Sequence, residues 1–246
     1  MIRKSGKSHK RAIIVGGGIG GLATGIALKR IGIQPFVFER AAEIRPVGAG
    51  ISLWSNAIMG LDRMGLSDDV IRRGSIIRRG RMIKTNGKLI SMTDIAALSA
   101  EAGYPSIMIH RGDLQDALVA GLGRNSLRLG HEFESFAERD KQVVVRFKNG
   151  EEVTGDFLIG ADGIHSAVRS QLLGDSPLRY SGVMCWRGIS RCDHPDVNGD
   201  MSTVAITRGL QMGILSCGSG RVYWFLAKRD RSSGVNSEAG AKADAL

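Results

Sequence analysis

The sequence predicts a mixed α/β fold, in which a parallel sheet near the N-terminus is accompanied by antiparallel sheets later in the chain. Three observations predict it. A strand, a helix and a second strand surround a glycine-rich turn within residues 12–39, Asn-Gly pairs separate β-like runs in the middle of the chain, and successive β-like runs occupy residues 180–227. The first pattern is typical of parallel α/β units, and the other two are typical of antiparallel strands.

The glycine-rich turn predicts a dinucleotide site. The apolar run at residues 12–15 leads into Gly16, Gly18 and Gly21 at the spacing G-x-G-x-x-G, a helical apolar pattern follows, and a second apolar run ends at Glu39. In such a Rossmann-type unit the first glycine allows a tight turn, the second lets the backbone approach a pyrophosphate, and the third lets the helix pack on the strand. The helix N-terminus would face the phosphates, and the acid would accept the ribose hydroxyls.

The same stretch has a competing interpretation. Residues 12–28 carry no charge and follow a basic start, which is also a feature of signal peptides and membrane spans. A segment that inserts into a membrane has no need of glycines at these intervals. The dinucleotide site is therefore the favoured interpretation, and no membrane span is predicted.

The next segment is less informative. Small residues at 48–50 form a loop that could lie against a flat ligand, and Ser55 or Asn56 is expected to cap the following helix. Residues 75–107 combine β-like pieces with an Asn-Gly turn at 86–87, which favours antiparallel strands over another parallel βαβ unit. By itself this segment does not point to a function.

Two motifs in the middle of the chain are placed for ligand binding. Asp113 is a plausible N-cap of the helix in HRGDLQDALVAGL, and Arg111 before it would reach a phosphate or lie in solvent. Farther on, an Asn-Gly hairpin at 149–150 precedes a predicted buried strand at 157–159, whose carboxyl end carries Asp162 and Gly163. Open α/β sheets bind ligands at this end of their strands. Ser166 would cap a short helix after it.

The last part of the chain changes in character. Four β-like runs, separated by short turns, predict a separate antiparallel sheet over residues 180–191, 202–207, 211–216 and 222–227. The residues after them are small and polar, so a helix start or a loose tail is expected there.

Composition and charge limit the kinds of partner that the chain is expected to bind. The chain has 246 residues, 43% of them apolar, and Cys185, Cys192 and Cys217 form no C-x-x-C pair, which fits a reducing cytoplasm and predicts no metal site. The net charge of +10 could indicate nucleic-acid binding. Part of that excess lies in a basic arm at residues 1–11, and the other arginines have no interleaved aromatics, so an anionic cofactor explains the charge at least as well.

Five motifs in this order resemble the single-component (group A) flavoprotein aromatic hydroxylases, the FAD-dependent monooxygenases related to salicylate, hydroxybenzoate and urate hydroxylases. The motifs are GGGIGG with Glu39, EIRPVGAGISLWSNA, HRGDLQDAL, GADGIHSAVR and RYSGVMCWRG. The resemblance implies a Rossmann-type (GR2-like) FAD-binding domain formed by residues 12–74 and 108–178. It also implies an antiparallel substrate-domain sheet formed by residues 75–107 and 179–246.

The resemblance also assigns site residues. Those expected to contact FAD are Gly16, Gly18, Gly20 and Gly21 at the pyrophosphate, Glu39 at the adenosine ribose, and Arg40, Ser52, Arg111 and the backbone near Phe133 elsewhere. Asp162 and Gly163 would lie near FAD and near the path of NADH or NADPH. Trp186, Arg187 and Tyr223 would form one wall of the substrate pocket.

The implied reaction is reduction of FAD by NADH or NADPH, addition of molecular oxygen to give a flavin hydroperoxide, and hydroxylation of a small aromatic or heteroaromatic substrate. Family members carry a downstream segment G-D-A-x-H-x-x-x-P-x-x-G-x-G that this sequence lacks. The expectation is therefore a truncated member with an incomplete substrate sheet. The alternatives are an FAD-dependent reductase or halogenase on the same scaffold, or a non-catalytic nucleotide-binding remnant.

Overall fold

The computed structural model describes residues 10–45, 48–194, 197 and 199–230. Most of the predicted basic arm and the predicted C-terminal tail lie outside these residues. Within the described ranges the strands are β1 (Arg11–Val15), β2 (Gln34–Glu39), β3 (Gly50–Leu53), β4 (Ser75–Ile76), β5 (Arg79–Lys84), β6 (Leu89–Asp94), β7 (Ile107–His110), β8 (Leu127–Leu129), β9 (Phe133–Arg139), β10 (Gln142–Phe147), β11 (Glu152–Gly155), β12 (Phe157–Gly160), β13 (Val183–Arg191), β14 (Met201–Thr207), β15 (Leu210–Ser216) and β16 (Arg221–Arg229). The helices are α1 (Ile19–Arg30), α2 (Ser55–Arg63), α3 (Ser67–Arg73), α4 (Ile95–Ala102), α5 (Arg111–Leu122) and α6 (Ala167–Leu173).

The chain forms two compact units. The first consists of Met1–Pro46 and Gln115–Pro177, and the second consists of Val47–Leu114 and Leu178–Leu246. These bounds differ from the predicted domains at residues 48–74 and 108–114, which lie in the second unit rather than with the glycine-rich turn. The assignment of a cofactor role to one part of the chain and a substrate role to another stays a prediction.

The first unit contains the predicted parallel sheet. Its strand order is β12-β1-β2-β8, and every pair in it is parallel. Strand β1 lies in the interior of the sheet, and Ala12, Ile13 and Ile14 are fully buried. The predicted burial of residues 157–159 is wrong, because β12 is the edge strand and these residues are only partly buried.

A three-stranded antiparallel sheet completes the first unit. Its order is β11-β10-β9, and β10 and β11 form the hairpin predicted from Asn149-Gly150. Apolar residues from both sheets share one core cluster that includes Ile13, Phe38, Val145 and Phe147. This core fixes β1 and β2, whose carboxyl ends carry the glycine-rich turn and Glu39.

The second unit is built on a six-stranded sheet with the order β13-β16-β15-β14-β5-β6. The predicted Asn-Gly turn is confirmed, since β5 and β6 pair as an antiparallel hairpin around it. The strands after residue 180 do not form the separate antiparallel sheet predicted from their pattern, because β14 pairs with β5 in parallel. The β5–β6 hairpin and the later strands therefore form one mixed sheet. Strand β13 begins at Val183 rather than at Tyr180.

Of the three helix N-caps predicted from the sequence, one is confirmed and two are wrong. Ser166 caps α6, accepting a hydrogen bond from the Arg169 backbone N–H at 3.0 Å. Neither Ser55 nor Asn56 caps α2, whose N-cap is Trp54. The predicted N-cap role of Asp113 is also wrong, because α5 begins directly after β7 and Asp113 lies inside its first turn.

No helix among the described residues is long and apolar enough to cross a membrane.

Candidate functional site

The glycine-rich turn requires glycine at two positions for steric reasons. Gly16 has φ +112°, and a Cβ there would lie 2.2 Å from the Ala161 carbonyl oxygen at the end of β12. A Cβ on Gly21 would lie 1.9 Å from the Gly16 carbonyl oxygen. The Gly16 N–H also donates to the Phe38 carbonyl at 2.7 Å, which ties the turn to β2. These contacts match the turn and packing roles predicted for the first and third glycines.

The other two glycines leave open space where phosphates would approach. A Cβ on Gly18 or Gly20 would meet nothing within 4 Å. Gly18 is the N-cap of α1 and offers no side-chain acceptor, and the first turn of the helix contains no acid. The N–H groups and the positive end of the helix dipole therefore face a position suited to an anion.

The Glu39 carboxylate is held in place by two backbone N–H groups, one in the glycine-rich turn and one just after β2. One carboxylate oxygen accepts the Gly17 N–H at 2.7 Å, and the other accepts the Ala41 N–H at 3.0 Å. A carboxylate offers about four acceptor positions, so two protein donors leave positions for the hydroxyls of a ribose. The negative charge thus lies at the end of β2, one strand away from the phosphate position.

A cleft of about 300 Å³ opens beside the glycine turn in the first unit. Of the predicted FAD contacts it contains Gly16, Gly18, Glu39, Arg40, Phe133, Asp162 and Gly163. The Phe133 side chain is 7% exposed and belongs to the core cluster, so the backbone is the part of this residue available to a ligand. The cleft combines a glycine cradle, a helix N-terminus and an anchored carboxylate, which suits a dinucleotide.

Asp162 has a structural role that the sequence did not indicate. Its carboxylate accepts the Ser166 hydroxyl at 2.5 Å and the N–H groups of Ala167 and Val168 at 2.7 and 3.2 Å. Together with Ser166 it therefore caps α6 at the edge of the cleft. The Asp162 backbone and Gly163 are the atoms left to face a ligand.

We expect Asp162→Ala to lower the free energy of unfolding by about 1 to 2 kcal/mol, because three donors at the start of α6 lose their acceptor. Urea denaturation followed by circular dichroism measures the change. Asp175→Ala is the control, since Asp175 is exposed in the loop after α6. Equal stabilities of the two variants would contradict the capping role.

Two residues support the site in ways that the sequence did not indicate. Gln115 is buried and donates its side-chain N–H to the Gly17 carbonyl at 2.9 Å. His131 lines the cleft, its backbone N–H donates to the Glu39 carbonyl at 2.8 Å, and its ring packs edge-on against Phe38. Both act across long sequence separations, so no local pattern could have indicated them.

Two predicted FAD contacts lie in the second unit. The Ser52 hydroxyl donates to the Met108 sulfur at 3.3 Å, within the pairing of β3 with β7. The Arg111 backbone N–H donates to the Ala49 carbonyl, and its side-chain stem lies against Gly48, where a Cβ would come within 3.1 Å. The small-residue loop thus supports Arg111, and the cofactor roles of both residues stay predictions.

The substrate-pocket candidates divide between two faces of the six-stranded sheet. Arg187 pairs with Phe225, and Ile189 pairs with Tyr223, so Arg187 and Tyr223 project from the same face. Trp186 adjoins Arg187 along β13 and therefore points to the opposite face. The prediction that all three line one wall is incompatible with this register, although the pocket role of the Arg187–Tyr223 pair stays a prediction.

Comparison with known proteins identifies the cofactor class. A family model described as FAD binding domain matches residues 10–206 of the chain. The chain belongs to this FAD-binding family. FAD is accordingly the cofactor for which the glycine cradle, the N-terminus of α1 and Glu39 are suited.

Members of known activity and structure resemble this FAD-binding chain over most of its length. The aurachin C monooxygenase/isomerase of Stigmatella aurantiaca is 41% identical over 231 residues, covering 94% of this chain and 60% of that protein. The FAD-dependent urate hydroxylase of Klebsiella pneumoniae is 34% identical over 217 residues, covering 87% and 56%. The crystal structure of Klebsiella pneumoniae HpxO complexed with FAD and uric acid superposes with a TM-score of 0.89 at 30% identity, covering 99% and 62%. The chain therefore spans about 60% of the length of these relatives.

Proposed function

We propose that this protein is an FAD-dependent monooxygenase that hydroxylates a small aromatic or heteroaromatic molecule with molecular oxygen and with NADH or NADPH as reductant. The observation that carries the proposal is the cleft of the first unit, whose glycine cradle and anchored Glu39 suit FAD. The reaction class is supported by the relatives, which include a monooxygenase/isomerase and a urate hydroxylase. When bound, FAD would supply the redox and oxygen chemistry, which no amino-acid side chain provides.

The residues of the first unit would bind and orient the cofactor. The open backbone at Gly18 and the N-terminus of α1 would hold the pyrophosphate, and Glu39 would accept the ribose hydroxyls. Gln115 and His131 would keep this geometry, because they hold the Gly17 carbonyl and the Glu39 carbonyl in place.

Arg187 and Tyr223 would bind the aromatic substrate. Burial raises the pKa of Tyr223, and the adjacent Arg187 partly offsets this shift by charge and by hydrogen bonding. The phenol therefore stays neutral near pH 7 and can donate a hydrogen bond, while its ring offers a face for stacking. The Arg187 guanidinium would pair with an anionic group of the substrate.

The cytoplasm is the compartment that we infer for this reaction. Cys185, Cys192 and Cys217 are all free thiols. Unpaired cysteines fit a reducing compartment, where NADH and NADPH are also available.

The proposal is tested by measuring the flavin spectrum of the purified chain, then NADH and NADPH oxidation with and without a panel of aromatic acids and hydroxylated heteroaromatics. Product analysis under ¹⁸O₂ should show one labelled oxygen atom per product. Absence of bound flavin would contradict the cofactor proposal. Bound flavin with no labelled product would leave an FAD-binding protein of another function.

We expect Arg187→Ala to raise the substrate KM about tenfold without changing the flavin content, because the substrate loses a charge-assisted hydrogen bond. Steady-state kinetics and flavin absorbance measure the two effects. Arg229→Ala is the matched control, since Arg229 is an exposed arginine at the end of β16. Loss of flavin with an unchanged KM would refute the substrate role.

A further inference from the structure

A second cavity, in the second unit, is lined by arginines. It has a volume of about 410 Å³, and its lining includes Arg72, Arg73, Arg191 and Arg221 together with Asp113 and Ser219. The arginines come from the end of α3, the end of β13 and the start of β16. None of them belongs to the sites described above.

The positive charge of this cavity exceeds the negative charge that it contains. Asp69 pairs with Arg72 at 2.7 Å and with Arg73 at 2.9 Å, using one carboxylate oxygen for each. Asp113 receives a bidentate pair of hydrogen bonds from Arg221. Among the residues that the structure describes, these four guanidinium groups are thus accompanied by two carboxylates, which leaves an excess of two positive charges.

Arg191 differs from the other three arginines, because its side chain has no hydrogen bond or ion pair among the residues that the structure describes. It lies directly opposite Arg221 in the pairing of β13 with β16. Like charges directly opposite each other in an antiparallel pair destabilise the sheet. An anion bound between the two guanidinium groups would remove this repulsion.

We propose that the cavity binds a phosphate dianion, either free or as a phosphate monoester. A phosphate carries the two negative charges that the cavity lacks, and arginine forks match its oxygens in geometry. The Ser219 hydroxyl at the rim supplies a further hydrogen bond donor. Arg72 is largely exposed, so a ligand can enter from solvent. The proposal is independent of the monooxygenase function.

Isothermal titration of the purified chain with inorganic phosphate, glycerol 2-phosphate and glycerol tests the site. We expect saturable binding of one or both phosphates and none of glycerol. Binding of inorganic phosphate alone would identify free phosphate as the ligand, and binding of both would identify a monoester site. Absence of saturable phosphate binding, or equal binding of glycerol, would overturn the proposal.

Two pairs of variants locate the binding. Arg191→Gln should weaken phosphate binding about tenfold, whereas Arg208→Gln, in the turn at the opposite end of β15, should leave it unchanged. Ser219 has φ +55°, a conformation that Asp and Asn both tolerate. Ser219→Asp should therefore abolish binding by its charge, and Ser219→Asn should retain it.

The stability of the variants separates binding from misfolding. Without phosphate, Arg191→Gln should have a Tm at least as high as the wild type, because it removes the repulsion from Arg221. Phosphate should raise the Tm of the wild type and of Arg208→Gln but not that of Arg191→Gln. Phosphate bound only at the N-terminus of α1 would be insensitive to Arg191→Gln and to Ser219→Asp, and that result would refute the proposed site.

Discussion

Gly21→Ala is expected to lower the free energy of unfolding by about 3 kcal/mol or more and to abolish FAD binding. The added methyl group would lie 1.9 Å from the Gly16 carbonyl oxygen, which is a backbone atom and cannot rotate away. Relief of this contact would require α1 to move away from the glycine turn, and that movement would displace the phosphate-binding N–H groups. Urea denaturation and titration with FAD measure the two effects.

Gly20→Ala is the matched control, because Gly20 lies one residue earlier in the same turn of α1 and its added methyl group would meet nothing within 4 Å. Alanine is favoured over glycine in a helix by about 1 kcal/mol, so this variant should be slightly more stable than the wild type. If both variants unfolded at the same urea concentration, the close approach of Gly21 to Gly16 would not be a requirement of the fold.

Glu39→Ala is expected to weaken FAD binding by about 1.5 to 3 kcal/mol, or roughly 10- to 150-fold. The ribose hydroxyls would lose a charged acceptor, and the loop would also lose the bonds from the Gly17 and Ala41 N–H groups to the carboxylate. Titration of the apo-protein with FAD gives the affinity, and an unchanged value would remove Glu39 from the cofactor site.

Glu39→Gln is a milder change at the same position. Glutamine keeps one oxygen acceptor but has no charge, and its amide nitrogen cannot accept from either N–H. We expect an intermediate affinity for FAD. An affinity as low as that of the alanine variant would show that the one oxygen acceptor retained by glutamine does not support FAD binding without the charge.

Features that depend on a few neighbouring residues were predictable. The strand, glycine turn and helix at the N-terminus follow from apolar spacing and from a backbone conformation that favours glycine. The hairpins at 86–87 and 149–150 and the cap at Ser166 depend on hydrogen bonds between residues two to four positions apart. These are local energies, so local sequence is enough to indicate them.

The sequence also sufficed to place Trp186 and Arg187 on opposite faces of β13. Side chains alternate along a strand, so neighbouring residues cannot line the same face. What the sequence could not provide was which residue of β16 stands opposite each of them. That register places Tyr223 on the face of Arg187.

The sequence by itself indicated the family, through the resemblance of its motifs, and a dinucleotide site, through the spacing of the glycines and Glu39. Close backbone approach at fixed spacings is a local requirement, so local sequence carries it. Only the tertiary structure decided which side chains hold that cradle and which arginines share a cavity. Gln115 bonds to Gly17 across 98 positions, and Arg221 bonds to Asp113 across 108. Such contacts depend on how sheets and helices pack, and packing is a property of the whole chain rather than of any segment of it.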